Sequence, residues 1–316
     1  MTTAAPARPR RSTSISTRLT LVLLPLVVIP LVVLGAAAYV RAQQLLRLQA
    51  AAQLSSTVAA ETGVLESWIR FREEQATLRA QSAAMQDAAS VLVQEPTSTA
   101  ARIAARAELT AALTAGMDTV FSDTMVVRAS DNRILVATDT AIQGRLLEAL
   151  ANGALPREVA GTRPLVDDPA LAPGEFALVT TIPIQSQGGE VEAYFVGVNR
   201  GLRLASLMDS LQGLWEERGG YRVEVGQTFL AVAPDSIVSY PRYATSPLLQ
   251  SGVDHPVYAL AAESPTGSAD YTSLDAVPVL GAYEWATGED LGLIVEVPQS
   301  EVYAGMSALG PFFAAL

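Results

Sequence analysis

The residues that could do chemistry in this 316-residue chain are sparse, and their types argue against catalysis. There is no cysteine, which removes thiolate nucleophiles, disulfides and zinc–cysteine sites together. The single histidine, His255, stands in the turn-like sequence Gly-Val-Asp-His-Pro, and the chain has no nucleophile elbow, so we expect a surface histidine. We predict no enzymatic activity for this segment. A kinase or cyclase activity could belong only to a cytoplasmic output domain beyond it.

Charged side chains in the middle of the chain are the remaining candidates for a binding site. Asp167 and Asp168 could bind a cation or pair with Arg157 and Arg163, but no oxygen-rich loop with alternating ligand spacing surrounds them. Arg128 ends an apolar run, and alternation could turn it toward a lobe interior or toward solvent. We predict no metal site. Since neither common form of phosphate-binding glycine loop is present, we also predict no cofactor.

An uncharged apolar segment, residues 19–40, determines where the rest of the chain lies. A helix over it is about 33 Å long, enough to cross a bilayer core of about 30 Å. The arginines before it, at positions 8, 10, 11 and 18, have no acidic neighbours, so the positive-inside rule places the amino terminus in the cytoplasm. We predict a plasma (inner) membrane protein with an extracytoplasmic main domain. The alternative is a signal peptide cleaved near the alanines at 36–38.

The charge of the remaining chain argues against nucleic acid as a partner. The sequence has 21 basic and 32 acidic residues and a formal charge of −11. Four of the 21 belong to the amino-terminal tail, which leaves 17 against 32 from Arg41 onward. Such an acidic chain repels phosphate backbones and anionic lipid head groups.

Apolar periodicity predicts a long stalk helix after the membrane segment. Residues 41–93 contain no proline, and apolar residues recur there at helical spacing: Leu54, Val58, Leu65 and Ile69. A break is possible near Gly63 or Ala83, and a second helix should begin at a cap near Ser98. Long helices next to a membrane favour a parallel homodimer. Strands are predicted after Gly116.

A pattern that occurs twice predicts the fold of the remainder. Residues 125–138 and 229–240 each read as an apolar strand, a turn containing Asp, and a second strand. Residues 176–208 and 276–306 each place two strands around a glycine-containing turn before a helix. The copies are offset by about 100 residues in both comparisons, which indicates a duplicated module. The expected fold class is α+β: a transmembrane helix, a long stalk helix, then two tandem antiparallel-sheet lobes covered by helices.

Three further segments complete the prediction. Residues 202–218 read as a helix for which Asn199 is the expected cap. Tyr283 and Trp285 are two residues apart on a strand, so both should face the same side, in the core. The apolar stretch 305–316 is too short to cross a membrane, and we interpret it as the start of a second transmembrane helix.

In the order of its elements the chain resembles the double Cache sensor domain of bacterial transmembrane receptors, in which two PAS-like lobes follow a membrane helix. The resemblance rests on the segments VVRASDNRILVAT, FALVTTIPI with GGEVEAYFVGVNRGLRLASL, and VPVLGAYEWATGEDLGLIVEVPQSEVY. It covers nearly everything between residues 41 and 302. The expected domains are a cytoplasmic basic tail (1–18), a transmembrane helix (19–40), the stalk and distal-lobe helices (41–115), a distal Cache lobe (116–218), a membrane-proximal Cache lobe (219–304) and a truncated second transmembrane helix (305–316).

The resemblance also implies a ligand site in the distal lobe. Amino-acid-binding members carry an aromatic and arginine cluster before the middle strands and an aspartate at the end of the last distal strand. Here residues 156–163 keep arginines but lack Trp and Tyr, and Asn199 stands where the aspartate is expected. An amide cannot pair with an ammonium group, whereas arginines favour a carboxylate or another anion. The candidate ligand-binding residues are Arg157, Arg163, Asp167, Asn199 and Arg128. Arg157 and Arg163 lie in a predicted loop between residues 151 and 175.

Three functions follow as hypotheses. The first is the ligand-sensing region of a sensor histidine kinase or chemoreceptor, which transmits small-molecule binding through helices to a missing cytoplasmic output domain. The second is a membrane-tethered interaction scaffold that binds an extracytoplasmic protein. The third, an anchored hydrolase, would require turnover by the isolated domain.

Overall fold

The computed structural model describes residues 15–94, 98–115, 120–186, 188–200, 207, 227–239, 248–286 and 290–304. The tail up to residue 14 and the predicted second membrane segment, 305–316, lie outside these residues. Of the predicted helix 202–218 only Leu207 lies inside them, where it is helical and buried. Residues 51–299 form one compact unit that contains both sheets.

One helix, α1 (Ile15–Ala80), contains the predicted membrane segment and most of the predicted stalk, as far as residue 80. It is 66 residues long and continues through Gly63, so of the two possible breaks only the one near Ala83 is present. Its amino-terminal part is long and apolar enough to cross a membrane, and none of its most apolar stretch is buried. The apolar side chains of this stretch are therefore exposed, as contact with lipid would require.

Two shorter helices, α2 (Ala83–Val93) and α3 (Thr99–Thr114), follow α1 and begin at serine caps. The Ser82 hydroxyl accepts a hydrogen bond from the Met85 amide, and the Ser98 hydroxyl accepts one from the Ala101 amide, each at 3.4 Å. Each cap satisfies an amide that the first helical turn leaves unpaired. The cap predicted near Ser98 is confirmed.

The distal lobe contains a five-stranded antiparallel sheet in the order β2-β1-β5-β4-β3. The bounds of its strands are β1 (Asp123–Arg128), β2 (Ile134–Ala137), β3 (Gly161–Asp168), β4 (Ala172–Gln185) and β5 (Val191–Asn199). The predicted pairs β1–β2 and β4–β5 are confirmed. The first copy of the duplicated module therefore builds the centre of this sheet.

The two faces of the distal sheet bury different clusters. One face, called here the helix face, packs Val126, Ile182 and Phe195 against α2 and α3. The other, called here the loop face, includes Val179 and Val196. A short 3-10 turn (Thr140–Ile142) and α4 (Glu148–Ala151) cover the loop face. Because consecutive strand residues point to opposite faces, the register assigns every polar side chain on these strands to one cluster or the other.

The proximal lobe contains a six-stranded antiparallel sheet in the order β8-β7-β6-β11-β10-β9. Its strands are β6 (Gln227–Val232), β7 (Ser236–Ser239), β8 (Leu248–Gln250), β9 (Thr266–Thr272), β10 (Pro278–Trp285) and β11 (Leu291–Pro298). Two helices accompany the sheet, α5 (Pro256–Glu263) before β9 and α6 (Gln299–Val302) after β11. The helix predicted from Gln299 is confirmed.

The strand orders show the duplication directly. Five neighbouring strands of the proximal sheet have the same spatial order as the five strands of the distal sheet: β7-β6-β11-β10-β9 corresponds to β2-β1-β5-β4-β3. Among the described residues, β8 is the one additional strand, at the edge of the proximal sheet. Two tandem PAS-like lobes, as predicted, follow from this correspondence.

The segment between residues 151 and 175, interpreted from sequence as a loop, is partly a strand. Residues 161–168 form β3 and pair with β4 from Gly161↔Thr181 to Asp168↔Ala172. Pro164 and the double aspartate hid this strand because proline and aspartate are depleted in strands. A proline is tolerated here because β3 is the edge strand of the sheet.

Candidate functional site

The loop face of the distal sheet carries two charged residues in one cross-strand row. The register places Arg163 opposite Val179, Val179 opposite Val198, and Val198 opposite Asp123. Adjacent strands lie about 4.8 Å apart, so about 14 Å separates Arg163 from Asp123 across two apolar residues. This row has a cation on β3 and an acid on β1, and the two valines between them are buried in the core.

Sequence reasoning did not find the ion pair between Asp123, the first residue of β1, and Arg200, which follows β5. The Arg200 guanidinium donates to Asp123 Oδ2 at 2.7 Å and to the Leu171 carbonyl at 3.0 Å. The Arg200 amide donates to the Ser122 hydroxyl, and that hydroxyl donates to the Arg200 carbonyl, each at 3.1 Å. Arg200 therefore links the end of β5 to the start of β1. The only sequence signal was its position directly after Asn199.

Two buried polar side chains of the distal sheet lack internal partners. Asn199 ends β5 and is fully buried, and among the described residues neither its amide oxygen nor its amide nitrogen has a hydrogen-bond partner. The Thr181 hydroxyl, on β4, is likewise buried and has no partner within the part of the chain that the structure describes. An unpaired buried polar group costs about 1–3 kcal/mol. Such groups are places where a bound polar molecule would lower the free energy.

The register puts these two groups on opposite faces of the sheet. Thr181 lies opposite Val196 of the loop-face cluster, so its side chain is on the loop face. Asn199 is separated on β5 by an even number of positions from Phe195 of the helix-face cluster, so its side chain is on the helix face. The start of the helix that Asn199 was expected to cap lies outside the described residues. Asn199 was expected to bind ligand by family position, and its burial gives that expectation a physical basis.

Arg157 has a structural role in the described fold. Its Nε and Nη2 donate to the Leu150 carbonyl at 2.9 and 2.5 Å, and Nη2 also donates to Asn132 Oδ1 at 3.1 Å. Asn132 lies in the β1–β2 turn with a left-handed φ of 55°. Arg157 thus ties the carboxyl end of α4 to that turn.

Arg163 lies at the edge of the distal sheet and reaches the proximal lobe. Its Nη1 is 4.0 Å from Asp290 Oδ2, and the two side chains are 36% and 70% exposed. A solvent-exposed pair of this kind stabilises a protein by about 0–1 kcal/mol. The pair with Asp290 therefore contributes little to stability.

The other two sequence-predicted residues lie near strand ends of the distal lobe, Arg128 as the last residue of β1 and Asp167 as the last but one of β3. Arg128 pairs with Asp131 at 3.4 Å in the β1–β2 turn. Asp167 has a left-handed φ of 50° and accepts a hydrogen bond from the Gly174 amide at 2.6 Å. Its neighbour Asp168 accepts bonds from the amides of Ala170 and Leu171 at 2.9 Å. The structure therefore distributes the five predicted residues over separate places instead of one cluster.

The expectation of a surface position for His255 is wrong. His255 is 3% exposed, its Nε2 lies 3.1 Å from Glu296 Oε1, and its Nδ1 accepts a hydrogen bond from the Val257 amide at 3.3 Å. The residue is the N-cap of α5, with proline in the first turn. That proline was a usable signal in the sequence, because proline is favoured at the first helical position.

Aromatic rings cover glycines on the α5 side of the proximal sheet. The Tyr283 ring lies over Gly267, and the Trp285 ring lies over Gly292 directly opposite it on β11. A Cβ at Gly292 would lie 2.4 Å from Trp285 Cε3. Tyr283 is 4% exposed and shares its cluster with Trp285, so the prediction that both face the core side is confirmed.

Several solved structures are similar to this chain. The extracellular domain described as that of histidine kinase mmHK1S-Z2 matches with a TM-score of 0.50 and 12% identity, covering 82% of this chain and 99% of that one. The chain has the double Cache fold. The periplasmic sensory domain of the Campylobacter jejuni chemoreceptor Tlp1 matches with a TM-score of 0.49 and 11% identity, covering 82% of this chain and 98% of that one. The ligand-binding domain of the Pseudomonas aeruginosa PAO1 chemoreceptor PctB, solved with L-Arg, has a TM-score of 0.49 and 17% identity, covering 81% and 91%.

At such low identity these double Cache structures establish the architecture alone. No protein-family model matches the sequence, and no curated protein matches it. Within the described residues, no three His, Asp or Glu side chains are grouped closely enough to hold a metal ion.

Proposed function

We propose that this double Cache chain is the extracytoplasmic sensing region of a bacterial transmembrane receptor of the sensor histidine kinase or chemoreceptor type. A small molecule binds in the distal lobe. The observation that carries the proposal is the Asn199 side chain, which is fully buried at the end of β5 with both amide atoms unpaired among the described residues. Native proteins pair buried polar groups, so an exception requires an explanation, and a polar ligand bound to Asn199 would supply one.

The chemistry of the candidate residues, which lie on both faces of the distal sheet, favours a carboxylate or another anion. Asn199 can donate and accept hydrogen bonds but cannot neutralise an ammonium group. Arg163 supplies a cationic guanidinium on the loop face, and its pairing with the exposed Asp290 is weak. Arg157 contributes positive charge near α4 while it holds that segment in place. Arg128 and Asp167 are retained as peripheral candidates because their internal bonds organise the turns at which they lie.

Transmission to the membrane is proposed to use α1. Ala76 and Ala80 of this helix pack in the helix-face cluster of the distal lobe, and Glu61 accepts a hydrogen bond from the Thr228 hydroxyl of the proximal sheet at 3.4 Å. The same helix continues to the apolar segment. A ligand that binds one arrangement of these contacts more tightly shifts a two-state equilibrium of the helix. A parallel homodimer with a cytoplasmic amino terminus is part of this proposal.

The test is a thermal-shift screen of the full chain in lipid nanodiscs, followed by intrinsic fluorescence of its three tryptophans. Carboxylates and inorganic anions are supplied at graded concentrations. A ligand at about 100 times its Kd should stabilise the folded state by about 2.7 kcal/mol and raise the melting temperature by several degrees. The double variant Arg157→Ala/Arg163→Ala should lose this rise, whereas Arg133→Ala, at an exposed arginine of the β1–β2 turn, should keep it.

The outcomes separate the competing hypotheses. An unchanged shift in the double variant would remove the anion from the proposal. If no compound of a broad metabolite library raises the melting temperature, the interaction scaffold is favoured. Turnover of any compound would favour the anchored hydrolase.

A further inference from the structure

We propose that the proximal lobe has a second input of its own: reversible proton binding at His255, which breaks the amino-terminal cap of α5. This inference concerns the opposite lobe from the small-molecule site and does not depend on any ligand of that site. It rests on the two different bonds that the two ring nitrogens make.

The hydrogen bonds specify the neutral tautomer of the ring. Nδ1 accepts from the Val257 amide, so it carries no proton in this arrangement. The ring proton therefore lies on Nε2 and is donated to Glu296 Oε1 at 3.1 Å. Both side chains are almost completely buried, at 2% and 5% exposure. The imidazole thus joins the start of α5 to the middle of the proximal sheet.

A second proton can only go to Nδ1, where the Val257 N–H already points. Two donors then face each other, and the cap bond cannot persist. The charge created on the ring is balanced by the Glu296 carboxylate, so the imidazolium can remain in place. Protonation consequently exchanges a helix cap for an ion pair instead of expelling the side chain. Caps of this kind control the population of the first helical turn.

The titratable groups that face His255 are two tyrosines and three carboxylic acids. From β9 the Tyr271 ring meets the imidazole edge-on, with centroids 5.2 Å apart, and burial together with the neighbouring Glu296 carboxylate raises the pKa of this tyrosine. From α5 and the β6–β7 turn come Tyr258 and the exposed Asp235, and Asp254 precedes the histidine. Burial first, and then the Asp235 charge, raise the pKa of Tyr258. Both tyrosines therefore stay protonated between pH 5 and pH 8.

A groove gives the proton a route to the buried ring. His255 lines a cavity of about 370 Å³ that opens to solvent beside Asp235 and Asp254. No arginine or lysine lines it within the described residues. The two aspartates lower the cost of bringing a cation to its mouth.

The geometry also supplies a response beyond α5. The Tyr258 hydroxyl donates to the Ser236 carbonyl at 2.6 Å, and its ring meets Trp285 of β10 edge-on at 5.9 Å. Loss of the first turn of α5 would therefore alter contacts to β7 and β10. Glu296 belongs to β11, the strand that leads into α6.

The test is hydrogen exchange of the α5 amides in the full chain in nanodiscs, read by mass spectrometry between pH 5 and pH 8. Histidine ordinarily titrates near pH 6.5. Variants are compared at each pH, so the chemical exchange rate cancels. His255→Asn places an amide oxygen at the capping position and cannot titrate, whereas His255→Gln reaches Glu296 with its amide nitrogen but cannot cap.

The expected result has three parts. Relative to His255→Asn, α5 of the unmodified chain exchanges about three to ten times faster at pH 5 and at the same rate at pH 8. His255→Gln exchanges faster at both pH values. Fluorescence of Trp285, in a variant where the other two tryptophans are phenylalanine, changes over the same pH range.

Three results would overturn the proposal. One is equal α5 exchange in the unmodified chain and His255→Asn at both ends of the pH range. Another is a pH-dependent rise that survives in His255→Asn, since the proton would then act on Glu296 or elsewhere. If neither variant folds, a flat Trp285 titration of the otherwise unmodified chain decides against the proton site by itself.

Discussion

The distal and proximal lobes share a strand order but treat buried polar groups differently. In the distal sheet Asn199 and Thr181 are buried with unpaired side-chain atoms among the described residues. In the proximal lobe the buried His255 and Glu296 bond each other, and His255 also caps α5, while the Tyr271 hydroxyl on β9 has no hydrogen-bond partner among the described residues. Because an unpaired buried group gains from a new partner, the ligand site is proposed in the distal lobe, and the proton site is proposed at the hydrogen-bonded histidine of the proximal lobe.

The lobes also share one packing device in equivalent strands. Gly197 of β5 lies under the Phe121 ring, and Gly292 of β11 lies under the Trp285 ring. A Cβ would lie 2.6 Å from the nearest Phe121 atom and 2.4 Å from the nearest Trp285 atom. Each lobe therefore has an aromatic ring over a glycine of its central strand, although the ring precedes β1 in the distal lobe and ends β10 in the proximal lobe.

The largest expected effect tests this shared device. Gly197→Ala and Gly292→Ala should each lower the free energy of unfolding by about 2–3 kcal/mol, because the ring and strand must move apart. Thermal unfolding of the full chain in nanodiscs, followed by tryptophan fluorescence, measures the loss. Gly63→Ala in α1 is the control, since nothing lies within 4 Å of its Cβ position. A large loss from only one of the two substitutions would show that the device is not equivalent in the two lobes.

A smaller loss is expected from Glu296→Leu. This substitution leaves the buried Nε2–H of His255 without an acceptor, so the free energy of unfolding should fall by about 2 kcal/mol at pH 8. Glu296→Gln keeps an acceptor oxygen and should cost less than about 1 kcal/mol. The same thermal measurement applies. Equal behaviour of the two variants would mean that the proximal polar pair contributes little.

The smallest effect has the opposite sign and sharpens the contrast between the lobes. Asn199→Leu replaces an unpaired amide with an apolar side chain of similar size, so stability without ligand should stay equal or rise by about 1 kcal/mol. The small-molecule shift in melting temperature should disappear. A loss of 2 kcal/mol or more in the absence of ligand would show that the amide has internal partners, and the argument for a distal site would fail.

The elements that sequence patterns predicted well are those whose apolar period is long or repeated. The α1 stripe, the cap at Ser98 and the paired hairpins all follow from local spacing and turn residues. β3 was missed because Pro164 and Asp167 are poor strand residues, and only pairing with β4 at the sheet edge makes a strand of them. His255 was misplaced because the turn signal of Pro256 was read without its role as the first residue of a helix.

The candidate site could be predicted only as a set of residue types. Arg157, Arg163, Asp167, Asn199 and Arg128 were selected for charge or family position, and the structure gives Arg157 and Asp167 structural bonds that local sequence does not reveal. Arg200 was missed because its partners, Asp123 and the Leu171 carbonyl, are distant in sequence. Pairing across strands depends on register, which no local pattern specifies fully.

The sequence by itself determined the apolar helix, the acidic character of the rest of the chain, the absence of cysteine chemistry and the duplicated strand pattern, because each depends on composition or near-neighbour spacing. Only the tertiary structure decided which polar groups are satisfied. Asn199 and Glu296 both occupy central strands of their sheets, and both are buried. Whether such a group finds a partner depends on what the fold brings within about 3 Å of it, and in this protein that is a histidine for Glu296 and no described residue for Asn199.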